Sequence, residues 1–226
     1  MRVVAVTGTD TEVGKTVVTA ALASQQVQLG FSVAVLKPAQ TGVGPDEDGD
    51  LAEVRRLAGN EVTLREGTRL PDPLAPDTAA RVAGRTLPSL TQQQGLLGTV
   101  ARDHDVTIVE GSGGVLVRLG DGFTLADLVA PYDAEWLVVA RAGLGTLNHT
   151  ELTVNELRHR GADVRGIIVG AWPEQPGLVE QQNLLDLPRV TGLPLLGRIP
   201  AGAGRLTAHD FRRAAPGWWQ LPDRQP

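Results

Sequence analysis

The chain has 226 residues, a formal net charge of −5 and no cysteine. That length fits one domain spanning 1–226, large enough to bury roughly 70–75% of its unfolded surface without a covalent staple. Disulfides, thiolate metal sites and a cysteine nucleophile are excluded. The acidic balance without a basic run argues against a nucleic-acid or anionic-membrane surface. No segment approaches the ~18 apolar residues of a membrane helix. The first residues open a strand rather than a signal-peptide core, so a soluble, cytoplasmic protein is expected.

In chain order, short apolar and β-branched runs alternate with helical patterns. Strands are predicted at Val3–Thr7, Val33–Lys37, Val106–Glu110, Trp136–Ala140, Gly166–Gly170 and Leu195–Ile199. Most are continuous hydrophobic runs, as in parallel strands covered on both faces. Helices are predicted at Thr16–Leu29, Leu51–Ala58, Gln92–Arg102, Leu125–Val129, His149–Arg160 and Leu178–Val190. Asn148 and Glu151 have capping-box spacing ahead of the fifth, and Gly161 supplies its stop. Gly42 to Asp50 reads as a mobile Gly/Pro/acidic loop. Arg65–Pro88 is expected to wrap the surface irregularly, and little periodicity follows Pro200, where Trp218 and Trp219 read as packing residues. Alternating β and α implies a doubly wound, mainly parallel sheet flanked by helices, with ligands beyond the carboxyl ends of its strands.

The positive charge comes from nineteen arginines and only two lysines. Both lysines stand just after a predicted strand, where a compact ammonium fits a tight pocket better than a planar guanidinium. Lys15 closes Gly8-Thr9-Asp10-Thr11-Glu12-Val13-Gly14-Lys15-Thr16, a strand–loop–helix context that suits phosphate binding and a P-loop NTPase-like fold. Five residues separate Gly8 from Gly14, one more than the common pattern. Thr16 offers a hydroxyl to Mg²⁺. Lys37 opens Lys37-Pro38-Ala39-Gln40-Thr41-Gly42. Glu110 ends a strand and runs into Gly111-Ser112-Gly113-Gly114; a buried acid there needs a cation. Asp50 precedes Leu51, so local reasoning makes it first a helix cap and second a metal or nucleotide contact. His104, His149, His159 and His209 have no metal-ligand spacing, and His149 reads as a helix-start contact.

Together these blocks, with Asp50-Leu51-Ala52 and Gly143-Leu144-Gly145-Thr146-Leu147-Asn148-His149-Thr150, resemble the dethiobiotin synthetase family over residues 1–202. The resemblance implies a homodimer that uses ATP and Mg²⁺ to carboxylate 7,8-diaminopelargonate with CO2. The product is a cyclic urea, reached through a carbamate and a carbamic–phosphoric anhydride. It implies that Lys37 and Lys15 are catalytic, and that Thr16, Asp50 and Glu110 form the metal set. Nucleotide contacts would come from Glu12, Val13, Gly14, Lys15, Thr16, Val17, Asp50, Glu110, Gly111, Ser112 and Gly113. Thr11, Lys37 and Thr41 would lie near the diamine and carbamate, with Gly145, Thr146, Leu147 and Asn148 near the dimer interface holding the substrate's carboxylate. Many relatives place an Asn at the end of the strand after that turn, where it reads an adenine edge. This chain has Gly170-Ala171-Trp172 there, so the resemblance implies that Gly170, Ala171, Pro200, Ala201 and Gly202 would surround the base without an amide. Other nucleoside triphosphates are then expected to serve.

Other classes fit less well. Partition and septum-positioning ATPases place a signature Lys four residues before Gly14, where this chain has Asp10. A GTPase would carry Asn-Lys-x-Asp, and an amide-forming synthetase a glutaminase half with a cysteine. A non-catalytic nucleotide-binding module would require an inert Lys37.

Overall fold

The computed structural model describes residues 1–220. The elements run β1 (Arg2–Gly8), α1 (Lys15–Gln28), β2 (Val33–Thr41), α2 (Asp50–Ala58), β3 (Thr63–Leu70), α3 (Pro76–Val82), α4 (Leu90–Arg102), β4 (Val106–Gly114), α5 (Leu125–Val129), β5 (Glu135–Ala140), α6 (Thr146–His159), β6 (Asp163–Trp172), α7 (Leu178–Thr191), β7 (Leu195–Pro200) and α8 (Ala208–Ala214). The strands form one sheet in the order β3-β2-β4-β1-β5-β6-β7. Every ladder between them is parallel. The chain leaves β1 toward β2 on one side and later crosses to β5 on the other. The crevice at the end of β1 is therefore the switch point where a doubly wound sheet binds ligands.

The strand period of two sorts side chains between the two faces. Val4, Val6, Val35, Ile108, Leu137 and Val139 join the core that holds Val18 and Leu22 of α1 with Val54 and Leu57 of α2. Their neighbours Val3, Ala5, Leu36, Val109, Trp136 and Val138 join the opposite core with Leu97 of α4, Leu128 of α5 and Leu157 of α6. No helix among the described residues is long and apolar enough to cross a membrane.

The structure corrects three local expectations. Arg65–Pro88 is not irregular: it contains most of β3, an edge strand paired only to β2, and all of α3. Edge exposure lets β3 carry Arg65, Glu66 and Arg69, which hides its strand character. Pro76 at the first position of α3 is the signal that the proline-rich composition masks. Asn148 does not cap α6: Gly145, at φ 86°, starts the helix three residues earlier with no side-chain cap. Gly161, at φ 73°, does follow its end. Asp50 does not cap α2 either; Gly49 holds that position and Asp50 is already helical.

The segment after Pro200 is a structural seal rather than a loose tail. Phe211 of α8 is fully buried in the core of α1 and α2 and meets Trp218 edge-on at 5.2 Å between ring centroids. Trp219 is also buried and bridges to Gly197 of β7. Packing is thus the role of both tryptophans. Phe211→Ala should cost about 3–5 kcal/mol of unfolding free energy. A loss under ~1 kcal/mol in urea titration would place α8 outside the cooperative core.

Candidate active site

The loop after β1 is held in shape by close backbone approaches. Thr9 N–H donates to the Val139 carbonyl of β5 at 3.0 Å. The extra residue is absorbed by a turn at Glu12, a non-glycine at φ 56°. Gly14, at φ 98°, lies so close to β6 that a Cβ would sit 2.5 Å from the Gly170 carbonyl oxygen. A Cβ on Gly170 would collide with the Val13 carbonyl in turn. Gly170 therefore packs beneath the loop and supports it. Lys15 Nζ donates to the Asp10 carbonyl at 2.8 Å. Burial, then the charge of Lys37, push the Lys15 ammonium down to about 8.

Register brings the second lysine to its partners. Leu36 of β2 pairs with Val109 of β4, so Lys37 and Glu110 are the next residues in adjacent parallel strands. Leu36 and Val109 face the α4–α6 side, which turns Lys37 and Glu110 toward α1. There Lys37 Nζ lies 2.9 Å from Glu110 Oε1, 2.6 Å from Asp50 Oδ2 and 3.0 Å from the Gly111 carbonyl oxygen. Thr16 Oγ1 donates to the same Glu110 Oε1 at 3.0 Å. Lys37 is 3% exposed and Glu110 1%. Burial alone would push the Lys37 ammonium down, but the Glu110 and Asp50 charges overcome it and hold the group above its usual range.

Asp50 reaches the cluster through Gln40, whose Oε1 accepts from Asp50 N–H at 2.9 Å and so docks the start of α2 on β2. Ser112 Oγ donates to the Ala39 carbonyl at 2.9 Å and ties β4 to β2 at the same level.

These groups open into a cavity of about 710 Å³. Of the residues expected at the site, Thr11, Glu12, Gly14, Lys15, Thr16, Val17, Lys37, Thr41, Asp50, Ser112 and Gly113 line it. Glu110 is buried beside Lys37 and Gly111 contributes its carbonyl. Val13 is buried in the core, so only its backbone serves the loop. Ala171, Pro200, Ala201 and Gly202 are exposed and do not line the cavity; Ala201 N–H donates to the Trp172 carbonyl at 2.7 Å. Gly145, Thr146, Leu147 and Asn148 do not line it either. Thr146 is fully buried, with its hydroxyl 3.4 Å from that of Thr150. A second cavity of about 480 Å³, bordered by Gly67, Pro88 and Gln93, has no charged side chain in its wall.

Sequence reasoning missed three contributors. Gln40 sits inside the Lys37 block and carries no charge to mark it. Pro73, Leu74, Ala75 and Pro76 form a cavity wall from the stretch expected to be irregular. Arg141, just after β5, pairs with the Asp10 carboxylate. Asp10 is held below the usual carboxylate range by the Thr11 N–H and then by the Arg141 charge. Position at a strand's carboxyl end was the available signal for Arg141.

The donor set suits a divalent ion that shares its shell with phosphate oxygens. It offers two carboxylates and a hydroxyl, all oxygen. Glu110 Oε2 is buried without a hydrogen-bond partner among the described residues. No group of three or more His, Asp or Glu side chains capable of holding a metal occurs among them, so phosphate would complete the shell.

Comparison with known proteins gives consistent results. Residues 2–204 match the model of an AAA domain family. The ATP-dependent dethiobiotin synthetase BioD of Streptomyces coelicolor is 55% identical, covering 98% of this chain and 93% of that protein. The protein of the same name from Rhodococcus jostii is 53% identical, covering 97% and 95%. Among solved structures, the septum site-determining protein MinD from Pyrococcus horikoshii, complexed with Mg-ADP, superposes with TM-score 0.63 at 15% identity, covering 94% of this chain and 89% of that one. A ParA family ATPase from Chlorobium tepidum gives 0.61 at 15%, covering 95% and 92%. At such identity the last two show the fold alone.

Two outcomes test the loop. Gly170→Ala should push the Val13–Gly14 backbone outward and weaken nucleotide binding by roughly tenfold or more; unchanged affinity in calorimetry would dissociate Gly170 from the loop. The depressed Lys15 value means that the fold carries a cost below about pH 8, relieved as pH rises toward the ordinary lysine value of 10.5. Phosphate restores the charged form, so nucleotide binding near pH 8.5 should take up a fraction of a proton. Calorimetry in buffers of differing ionisation enthalpy reads that uptake, and Lys15→Arg should abolish it.

Proposed function

We propose how this chain, which belongs to the ATP-dependent dethiobiotin synthetase family of biotin biosynthesis, carries out its ligase reaction. One amine of 7,8-diaminopelargonate adds to CO2, giving a carbamate. A carbamate oxygen takes the γ-phosphoryl of ATP and ADP leaves. The second amine attacks the activated carbon, expels phosphate and closes the cyclic urea. Both reacting partners are anionic, so the work is positioning and charge neutralisation rather than nucleophilic catalysis by a side chain.

The observation that carries this reading is the buried Lys37 ammonium, which lines the same cavity as Lys15. Backbone amides of residues 12–16 and the start of α1 cradle the phosphates, with Lys15 on the β/γ side. Lys37 neutralises the junction of carbamate and γ-phosphoryl. Thr16, Asp50 and Glu110 would hold Mg²⁺, which when bound would offset the charge building on the phosphates. Thr11 and Thr41 line the end of the cavity that takes the diamine, and the Pro73–Pro76 wall limits water there. Without an amide side chain after β6, the base is read loosely, and triphosphates besides ATP are accepted.

The Gly145–Asn148 turn lies outside the cavity of its own protomer. As a helix start it suits a carboxylate, and in a homodimer it serves the substrate tail at the interface. Leu144 (81% exposed) in that turn, Leu152 of α6, and Leu178 and Leu185 of α7 offer apolar surface for the contact.

The experiment mixes protein, diamine, [¹³C]bicarbonate, Mg²⁺ and ATP. We expect label in the ureido carbonyl with one phosphate per ring closed, a dimer by light scattering, and at least ~100-fold slower turnover for Lys37→Arg with nucleotide binding retained. Phosphate release indifferent to the diamine would instead describe a nucleotide-switch ATPase, and a monomer would remove the shared tail site.

A further inference from the structure

Lys37 makes its two ion pairs with Asp50 and Glu110, the carboxylates that the preceding reading assigns to the divalent ion. Glu110 Oε1 already accepts from both Lys37 and Thr16. The ammonium and a divalent ion therefore draw on one set of oxygens. Two carboxylates and one ammonium leave a net charge of −1; adding a divalent ion with the ammonium in place brings it to +1, with two cations crowded together in a buried space. Like charges repel strongly where water is scarce. Glu110 Oε2, buried without a hydrogen-bond partner among the described residues, is too little to hold the ion alone.

We propose that the Asp50–Glu110 pair is a cation-exchange site: Lys37 holds the two carboxylates until a divalent ion displaces its ammonium into the adjoining cavity. The inference rests on the assignment of Asp50 and Glu110 as metal ligands and adds a linkage that the assignment does not contain. Lys37 lines the cavity, which gives the displaced ammonium a place to go. Its Gly111 carbonyl contact can be given up for an anion in the cavity. The exchange imposes an order. The divalent ion enters first, and only then is a free ammonium available to the CO2 adduct. Before the metal arrives, Lys37 is neutralised by protein carboxylates and offers the carbamate little.

The chain has only two lysines, which makes the test direct. In full-length protein carrying ¹³Cε,¹⁵Nζ-lysine, two side-chain signals are expected, and Lys15→Arg assigns them by removing one. Mg²⁺ added to saturation should shift the Lys37 signal and speed exchange of its ammonium protons with water. In parallel, Mn²⁺ binding without nucleotide is followed by electron paramagnetic resonance in the wild type and in Lys37→Met. Removing the competing cation should tighten Mn²⁺ binding by roughly tenfold or more. Equal or weaker binding by Lys37→Met, or a Lys37 signal that stays in place as Mg²⁺ saturates, would overturn the exchange while leaving the metal assignment standing. Saturable Mn²⁺ binding that is unchanged in Asp50→Asn would overturn the assignment itself and the exchange with it. If Lys37→Met does not fold, the lysine spectra of the wild-type protein decide alone.

Discussion

The site depends on one buried arrangement of charge: an ammonium from β2 held between carboxylates from β4 and α2, with a hydroxyl from α1 on the same oxygen. Four elements meet there. Removing one partner of the buried Lys37–Glu110 pair leaves an uncompensated buried charge, worth about 3–5 kcal/mol, so the cluster ties the packing of α1 and α2 on the sheet to the chemistry. It also accounts for details that composition leaves arbitrary. Gln40 uses both ends of its amide: Oε1 accepts the Asp50 N–H while Nε2 donates to the Thr41 carbonyl. Gly49 leaves room for Gln40, since a Cβ there would sit 2.8 Å from its Oε1.

The phosphate loop is a second constraint and is met by different means. Charge plays a small part in shaping it; absence of side chains does most of it. Gly14 and Gly170 face each other closely enough that neither tolerates a Cβ, which couples the loop to β6, separated in the sheet from the lysine cluster on β2 and β4 by β1 and β5. The end of β6 therefore has a duty prior to any contact with a base. The Asp10–Arg141 pair adds a tether from the loop to β5. Both side chains are nearly half exposed, so the pair steers geometry more than it stabilises the fold.

The architecture and most of the cavity were legible in the residues because each rests on a local pattern. Continuous apolar runs marked six strands, and the glycine-lysine loop marked the switch point. Lys37 and Glu110 stood out as charges at strand ends, and the register that makes them neighbours follows once both strands are parallel. What stayed hidden was non-local. An edge strand needs only one covered side, so β3 could carry arginines and a glutamate and lose its apolar signature. Asp50 looked like a cap because its position before Leu51 is local information, whereas its attraction to Lys37 is not. Asn148 and Glu151 had the right spacing for a capping box, yet Gly145 could adopt a left-handed turn and start the helix first. Phe211 escaped notice because α8 has only seven residues, too few to show a period, and it packs by one aromatic ring.

The likeness to MinD and ParA structures at 15% identity shows a shared fold and nothing finer. In a parallel sheet of this kind, a glycine-rich loop at the switch point suits phosphate. The lysine cluster lies beside that loop, on β2, β4 and α2. Lys37, Gln40 and Thr41 extend β2 beyond its apolar run, the 42–50 loop returns Asp50 to the same level, and the Pro73–Pro76 wall closes the far side. This places a second ammonium and a walled space beside Lys15. The mouth of the sheet is therefore built out by the part of β2 that runs past Lys37, apart from the loop that follows β1.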